Sequence, residues 1–210
     1  MWITNICVSG RLETPAKLNL DAIATKNDVF FKDEQTPLEL FLDCRGGRVK
    51  AVKIPPQTKP RPCFLVFSSG AFILVGIRSY EHIVQAIRVL KRELGKAGYK
   101  VKKTTWTIEN VNVAGRLDGF DYKKALKSGR LKKYKNFPGL VFCYPNDSSM
   151  TMTIYHTGNY IIAGIRGASE KEVLRKARSV VLEFARALGY KAEEDKKSRN
   201  ASDCNYRQHQ

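Results

Sequence analysis

NICVSGRL at residues 5–12 returns as NVNVAGRL at residues 110–117. A second segment, GAFILVGIR at residues 70–78, returns as GNYIIAGIR at residues 158–166, so the 210-residue chain contains an internal repeat. The offset between copies is 105 residues at the first segment and 88 at the second, which gives the first copy 17 extra residues between the two segments. We assign most of this surplus to residues 45–62, which are rich in Gly, Lys, Arg and Pro and indicate an extended basic loop.

Each copy shows the same succession of hydrophobic periods: a strand, a short helix, a strand, a hairpin and a long amphipathic helix. In the first copy we predict strands at 3–10, 38–44, 64–67 and 72–77, a short helix at 18–25, and a long helix with the apolar stripe Ile83, Ile87, Leu90 and Leu94. In the second copy we predict strands at 106–115, 137–144, 151–155 and 160–165, a short helix at 121–127, and a long helix with the stripe Val173, Ala177, Val180, Phe184 and Leu188. Ser169 and Glu172 form a capping box for this last helix, and Gly189 suits its end.

Two such copies predict an α+β fold in which the strands pair across the centre into one curved antiparallel sheet. Helices would cover one face of this sheet. We expect a first repeat at residues 1–101, a second repeat at 102–190, and a polar tail at 191–210 whose composition predicts disorder. The uncovered concave face would expose apolar and polar strand residues, and such a patch indicates a ligand.

The charge of the chain indicates what that ligand is. Lys and Arg number 37 against 20 Asp and Glu, a formal net charge of +17 that attracts polyanions. Nucleic acid is the leading partner class and an anionic membrane surface the second. No apolar run reaches the roughly 20 residues of a membrane helix, and the first residues lack the layout of a signal peptide. Five scattered cysteines and three isolated histidines give no metal-ligand spacing, so we expect an intracellular protein without metal or cofactor.

Several short segments resemble the core of the TATA-box-binding protein family. They are FSSG at 67–70, GIRS at 76–79, FPGL at 137–140, and the paired Asn5 and Asn110, in order and across both repeats. The resemblance covers roughly residues 3–190. It implies a monomeric saddle with a concave face for duplex DNA, a convex helical face for transcription factors, and no catalysis. The implied partners are a transcription factor IIB-like protein and polymerase-associated factors, in the nucleus or, for a viral protein, in a cytoplasmic virus factory.

The resemblance also implies which residues contact DNA bases. Asn5 and Asn110 match the two asparagines that hydrogen-bond base edges at the centre of the bent site, and amide donors suit the acceptors that A·T pairs present in the minor groove. An asparagine near a strand start can instead cap a turn, but equivalent positions in both repeats favour the DNA role. Residues around them on the same strands and on the hairpins complete the predicted base-contacting set: Cys7, Asn112, Ile73, Val75, Ile161 and Ala163.

The family inserts two pairs of phenylalanines between base steps as wedges. Phe67 and Phe137 match two of these positions, and Tyr155 takes the place of another. The fourth position is assigned to Leu38, although Phe41 fits if the strand register is shifted. For each wedge the alternative is core packing, the usual fate of an apolar strand residue.

For phosphate contacts the predicted residues are Arg78 and Arg166, which stand where the family has lysines, together with Arg45, Arg48 and Ser69. Other positions depart from the family pattern. The family's valines beside the asparagines are Cys7 and Asn112 here, and its hairpin threonines are Val75 and Ala163. Phosphate contacts are therefore retained more clearly than base contacts, and phosphate contacts position a protein without specifying sequence.

These residues predict a transcription initiation factor that binds and bends TATA-like promoter DNA through the minor groove. The alternative is an architectural, sequence-nonspecific saddle protein without promoter function, which would show no preference for A·T-rich duplex. An enzyme is disfavoured because the chain has neither a catalytic domain beside the repeats nor a carboxylate cluster for metal-assisted hydrolysis.

Overall fold

The structure, a computed structural model, describes residues 1–32, 37–44, 47–53 and 62–189. The first half contains β1 (Trp2–Glu13), α1 (Leu20–Lys26), β2 (Phe30–Phe31), β3 (Leu38–Asp43), β4 (Lys50–Ala51), β5 (Cys63–Val66), β6 (Ala71–Ile77) and α2 (Tyr80–Lys96). The second half contains β7 (Lys103–Arg116), α3 (Tyr122–Lys127), β8 (Lys132–Lys133), β9 (Leu140–Cys143), β10 (Thr151–Ile154), β11 (Asn159–Ile165) and α4 (Glu170–Ala187).

The strands form one antiparallel sheet whose order is symmetric about its centre. The order is β2-β3-β5-β6-β1-β7-β11-β10-β9-β8, with the short β4 added beside β3. β1 and β7 pair with each other along Trp2–Glu13 and Lys103–Ala114, so the two copies of the repeated segment meet at the middle of the sheet. The predicted α+β saddle with a curved antiparallel sheet is confirmed.

One hydrophobic core lies between the sheet and the long helices. In strands such as β3 and β10 alternate residues are buried, as the period of two requires when one face of a sheet is covered. The apolar stripes of α2 and α4 pack in this core, and Phe184 of α4 makes an edge-on contact with Phe142 of β9, with ring centroids 5.5 Å apart. The opposite face of the sheet carries no helix among the described residues, and we call it the open face.

The two hairpin turns show why the repeat keeps its glycines. Gly70 and Gly158 have φ of 81° and 80°, and their carbonyl groups accept hydrogen bonds from the N–H groups of Leu12 and Leu117. A Cβ at Gly70 would lie 2.5 Å from the Leu12 oxygen, and one at Gly158 would lie 2.4 Å from the Leu117 oxygen. Both the positive φ and the close backbone approach therefore require glycine.

The capping prediction for α4 is confirmed in a modified form. The Ser169 side chain accepts from the Glu172 N–H, but the Glu172 carboxylate accepts from the Ala168 N–H instead of the N–H of Ser169. The carboxylate therefore reaches one residue further back than in the usual box.

Element boundaries differ from the sequence expectations in a few places. Phe137 lies before β9 instead of within it, and the short strands β2, β4 and β8 were not predicted. β4 falls inside the predicted loop at 45–62 and pairs with β3. Residues 45–46 and 54–61 of that loop and the predicted tail at 191–210 lie outside the described residues. The boundary at residues 101 and 102 stays a prediction.

Candidate nucleic-acid interface

The centre of the open face is formed by four residues of the β1–β7 pair. Asn5 lies opposite Asn112, and Cys7 lies opposite Asn110. Their strand neighbours Ile6, Val8, Val111 and Val113 are all fully buried on the helix-covered side. Because successive strand residues point to opposite faces, the four central side chains point to the open face.

The two asparagines are held in the same way in both halves. The Oδ1 atom of Asn5 accepts from the Gly76 N–H at 2.7 Å, and the Oδ1 atom of Asn110 accepts from the Gly164 N–H at 2.8 Å. Both glycines have positive φ and lie where the pairing register shifts. A backbone N–H only donates, so these bonds assign the amide orientation and leave the Nδ2 hydrogens as the donors, one of which Asn110 uses within the sheet.

The third central amide joins this arrangement through its neighbour. Asn110 donates from Nδ2 to the Oδ1 atom of Asn112 at 3.1 Å, and the carbonyl oxygen of Asn112 accepts from the Thr4 hydroxyl. The centre of the open face therefore presents amide donors from both repeats, with Cys7 opposite Asn110.

Apolar side chains flank the central amides. Ile73 and Val75 of β6 and Ile161 and Ala163 of β11 alternate with buried residues and therefore belong to the open face. Ile161 is 38% exposed, which is unusual for an isoleucine in the middle of a sheet. These positions offer shape and apolar contact but no hydrogen bonds.

Aromatic side chains lie at the outer ends of the open face. Phe67 follows β5 and Tyr155 follows β10, each directly after a buried residue, and Phe137 precedes β9. Phe67 and Phe137 are among the exposed apolar residues, at 37% and 36% exposure. The Phe137 and Tyr155 rings are neighbours, with centroids 6.5 Å apart. Phe67 and Phe137 are thus accessible and Tyr155 is half-buried, and the insertion of all three into DNA stays a prediction.

The wedge assignment to Leu38 is wrong. Its side chain is fully buried in the core, because Leu38 pairs with Val66 on the helix-covered side. The register equates Leu38 with Leu140, which pairs with the equivalent residue Ile154. The position that corresponds to Phe137, three residues before Leu140, is therefore Gln35, which lies outside the described residues. Phe41 is half-buried on the open-face side of β3.

The predicted phosphate contacts have separate locations. Arg78 and Arg166 are exposed at equivalent positions directly after β6 and β11. Arg78 lines an open groove of about 730 Å³ beside Asn5 and Gly76, while the Nε atom of Arg166 donates to the backbone oxygen of Glu109 at 3.1 Å. The binding of phosphate by these arginines stays a prediction.

The remaining predicted phosphate contacts lie further out or cannot be described. Ser69 is exposed in the β5–β6 turn. Arg48 is exposed, but its neighbours Gly47 and Val49 hydrogen-bond with Gln85 of α2, so we leave Arg48 out of the interface. Arg45 lies outside the described residues.

Residues that the sequence did not single out also belong to the open face. Arg11 and Arg116 are exposed at equivalent positions of the repeated segment, and the repeat itself was the signal that could have identified them. Glu109 lies beside Ser9, whose hydroxyl donates to its carboxylate. Burial, and secondarily the charge of Glu109, raise the pKa of the Cys7 thiol, so this carboxylate is close to the central residues.

The described residues contain neither a metal-binding cluster nor a helix that could span a membrane. No group of three or more His, Cys, Asp or Glu side chains in those ranges is arranged to hold a metal ion. Among the helices that the structure describes, none has the length and apolar character that crossing a bilayer requires.

The fold and the open face define a class of protein: a two-repeat saddle with helices on one side and amide, apolar and aromatic side chains on the other. A family model described as transcription factor TFIID (or TATA-binding protein, TBP) matches residues 1–97. The TATA-box-binding protein of Aeropyrum pernix is 26% identical over 186 residues, covering 84% of this chain and 83% of the relative. That of Pyrococcus furiosus is 23% identical over 171 residues, covering 76% and 87%.

A solved structure shares the fold. Methanococcus jannaschii TBP superposes with a TM-score of 0.64 at 22% sequence identity, covering 88% of this chain and 98% of that one. In sequence the chain is similar to TATA-binding proteins, and it shares their fold. The family model ends near the close of the first half, while the relatives and the shared fold extend through the second.

Proposed function

We propose that this chain is a transcription initiation factor that binds duplex DNA through the minor groove and bends it. The observation that carries the proposal is the duplicated asparagine arrangement. Asn5 and Asn110 each commit their oxygen to a backbone N–H, which leaves donors at the centre of the open face. The minor groove of A·T pairs presents only acceptors at the base edges, so donors of this kind match it.

The surroundings of the asparagines support a groove that is widened and bent. Apolar side chains such as Ile73 and Ile161 form no hydrogen bonds with water or phosphate. They suit contact with the floor of an opened minor groove. The exposed Phe67 and Phe137 stand at opposite ends of the open face. Aromatic wedges at such positions unstack base steps, and contact with the bent duplex offsets that cost.

The charge of the chain supports attraction to the DNA backbone. The net charge is +17, and the exposed arginines Arg11, Arg78, Arg116 and Arg166 occur as two equivalent pairs. Each phosphate that they neutralise releases counterions, which makes binding salt-dependent.

The helical layer supports the partner that we propose. While the open face holds DNA, α2 and α4 keep their outer faces in solvent, with exposed cations such as Arg88, Lys91 and Arg175. We infer that the protein acts without catalysis, as a monomer on DNA, and recruits a transcription factor IIB-like protein and polymerase-associated factors. It would act where its promoters are, in a nucleus or a cytoplasmic virus factory.

The test is a selection of binding sites from random duplex DNA, followed by affinity measurements on the selected site. We expect A·T-rich sites whose log affinity falls with log salt by about 0.9 per phosphate neutralised. Replacing each A·T pair by inosine·cytosine keeps the minor-groove acceptors and changes the major groove, so binding should persist. A flat salt response, or loss of binding to the inosine duplex, would contradict the proposal. Equal affinity for all sequences would indicate the architectural alternative.

A further inference from the structure

Glu109 places a carboxylate among the amide donors of the open face. The β1–β7 register shifts at this point: Cys7 pairs with Asn110 and Val8 with Ile108, so Glu109 has no partner residue on β1. Its carboxylate accepts a hydrogen bond from the Ser9 hydroxyl. Ser9 alternates with the buried Val8 and pairs with Ile73, so it belongs to the open face. The bulge therefore directs an acidic side chain toward the surface that we assign to DNA.

Among the described residues, this carboxylate forms no ion pair. The guanidinium of Arg166 contacts Glu109 at its backbone oxygen, to which the Nε atom donates at 3.1 Å. An ionised carboxylate accepts hydrogen bonds at up to four lone-pair positions and donates none. The Ser9 hydroxyl occupies one of these positions, which leaves acceptor capacity directed at a ligand.

The equivalent position in the first repeat is different. Thr4 precedes Asn5 as Glu109 precedes Asn110. The Thr4 hydroxyl donates to the backbone oxygen of Asn112 at 3.2 Å and carries no charge. Asn5 and Asn110 are therefore equivalent, whereas the residue before each of them differs.

The chemistry of the minor groove gives this asymmetry a meaning. An A·T pair presents only acceptors there, which a carboxylate repels, whereas a G·C pair adds the donor N2 amino group of guanine. We propose that Glu109 accepts a hydrogen bond from the N2 amino group of one guanine, so that the preferred site is A·T-rich with a single G·C pair off its centre. This inference rests on the proposed function. It also makes the site asymmetric, so that Glu109 fixes the orientation of the saddle on DNA.

The experiment scans one G·C pair through every position of the selected A·T-rich site and measures the affinity of the full chain for each duplex. At each position the matched duplex carries inosine·cytosine, which lacks only the N2 amino group. We expect one position at which the duplex with guanine is bound about tenfold more tightly than the duplex with inosine. A hydrogen bond to a charged group contributes a free energy that corresponds to this difference in affinity. At the other positions guanine should bind no better than inosine.

A matched variant isolates the carboxylate. Glu109→Gln has the same size and keeps an oxygen for Ser9, so it should fold normally. It should lose most of the guanine preference and bind the all-A·T duplex more tightly than the parent. The exchange variant, Thr4→Glu with Glu109→Thr, should move the preferred guanine to the mirror-related position of the site.

The outcomes separate this inference from the proposed function. If the parent binds A·T-rich duplex but treats guanine and inosine alike at every position, the role of Glu109 is overturned and the proposed function stands. A guanine preference that survives in Glu109→Gln overturns it equally. Failure to bind any duplex overturns the proposed function itself.

Discussion

The side-chain oxygens of Asn5 and Asn110 are already engaged within the sheet before any ligand arrives. Each accepts from a glycine N–H at a bulge, and this bond fixes the rotamer and the amide orientation. A donor that is held in place loses little side-chain entropy when it binds. The same bond gives the asparagines a structural role, which a simple alanine substitution would remove together with the donors.

Asparagine-to-aspartate substitution separates the two roles. Asn5→Asp with Asn110→Asp keeps an oxygen for the Gly76 and Gly164 N–H groups and replaces the outward donors by acceptors. We expect the free energy by which the protein prefers A·T-rich over G·C-rich duplex to fall by about 1–3 kcal/mol per lost contact set. The ratio of the two affinities is the right measurement, because a uniform cost of the added charge cancels in it.

Arginine substitutions provide the matched control. Arg78→Gln with Arg166→Gln should weaken binding to all sequences alike and flatten the salt dependence, while the affinity ratio stays constant. If the aspartate variant keeps the parent's ratio, the asparagines only support the bulges, and sequence preference comes from the deformability of DNA.

At the scale of elements, the sequence predicts most of the fold because the repeat reports each element twice. The hairpins, the long helices and the central strands follow from hydrophobic period and turn chemistry. The strand register does not follow from these signals. Alternation of apolar and polar residues alone gives no means to equate Leu38 with Leu140 instead of with Phe137. The sequence also did not locate Glu109 at the bulge: the odd spacing between Ile108 and Val111 breaks the alternation of core-facing residues, but that spacing alone does not fix which residue is left unpaired.

A buried carboxylate joins two elements of the first half. Glu93 of α2 is 1% exposed and accepts from the Nδ2 atom of Asn27 at 3.2 Å, while Arg92 and Lys96 contact its two oxygens at 2.8 Å. Asn27 also caps the end of α1. Burial alone would raise the pKa of Glu93, but hydrogen bonds from Lys96, Arg92 and Asn27 together lower it.

This cluster predicts a pH-dependent stability. Because the folded-state pKa of Glu93 lies below the unfolded value of about 4.3, its contribution is present above that pH and is lost as pH falls through the folded pKa. Glu93→Gln should reduce the free energy of unfolding by about 1–3 kcal/mol at pH 7 and by less at pH 3. Urea denaturation at both pH values measures this difference.

The control for this prediction is Glu183→Gln on α4, where the carboxylate is partly exposed and contacts Arg186 at 3.4 Å. Its effect should stay within about 0.5 kcal/mol at either pH. A loss for Glu93→Gln that is the same at pH 7 and pH 3 would mean that shape, and not charge, stabilises the cluster.

At the scale of the whole molecule, the two ends of the open face are unequal. The second half presents Phe137 and Tyr155 as neighbouring rings, whereas the first half presents Phe67 without Leu38 beside it. The molecule therefore combines near-symmetric strands with an asymmetric pair of wedge sites, and the two DNA steps need not be opened equally.

Energy transfer between labels at the two duplex ends measures the bend. The parent should bend the duplex by roughly 20–90° in total, the range that wedge insertion produces. Phe137→Ala with Tyr155→Ala should reduce the bend more than Phe67→Ala does, because it removes the paired wedge. Leu38→Ala is the control: it should leave the bend unchanged while destabilising the protein by about 2–5 kcal/mol. An unchanged energy transfer in both wedge variants would contradict the wedge assignments.

The central position of β1 in the sheet affects how the nascent chain folds during translation. β1 is translated before both of its partner strands, and one of them, β7, lies about 100 residues later, as the Ser9–Glu109 contact shows. At roughly 5–20 residues per second, that edge of β1 waits on the order of 5–20 s for its partner. During this interval a nascent chain presents a row of unpaired N–H and C=O groups, to which a chaperone or a neighbouring nascent chain can add a strand. The pairing of β7 with β1 ends this exposure, so the second repeat has a role in folding apart from any contact with DNA.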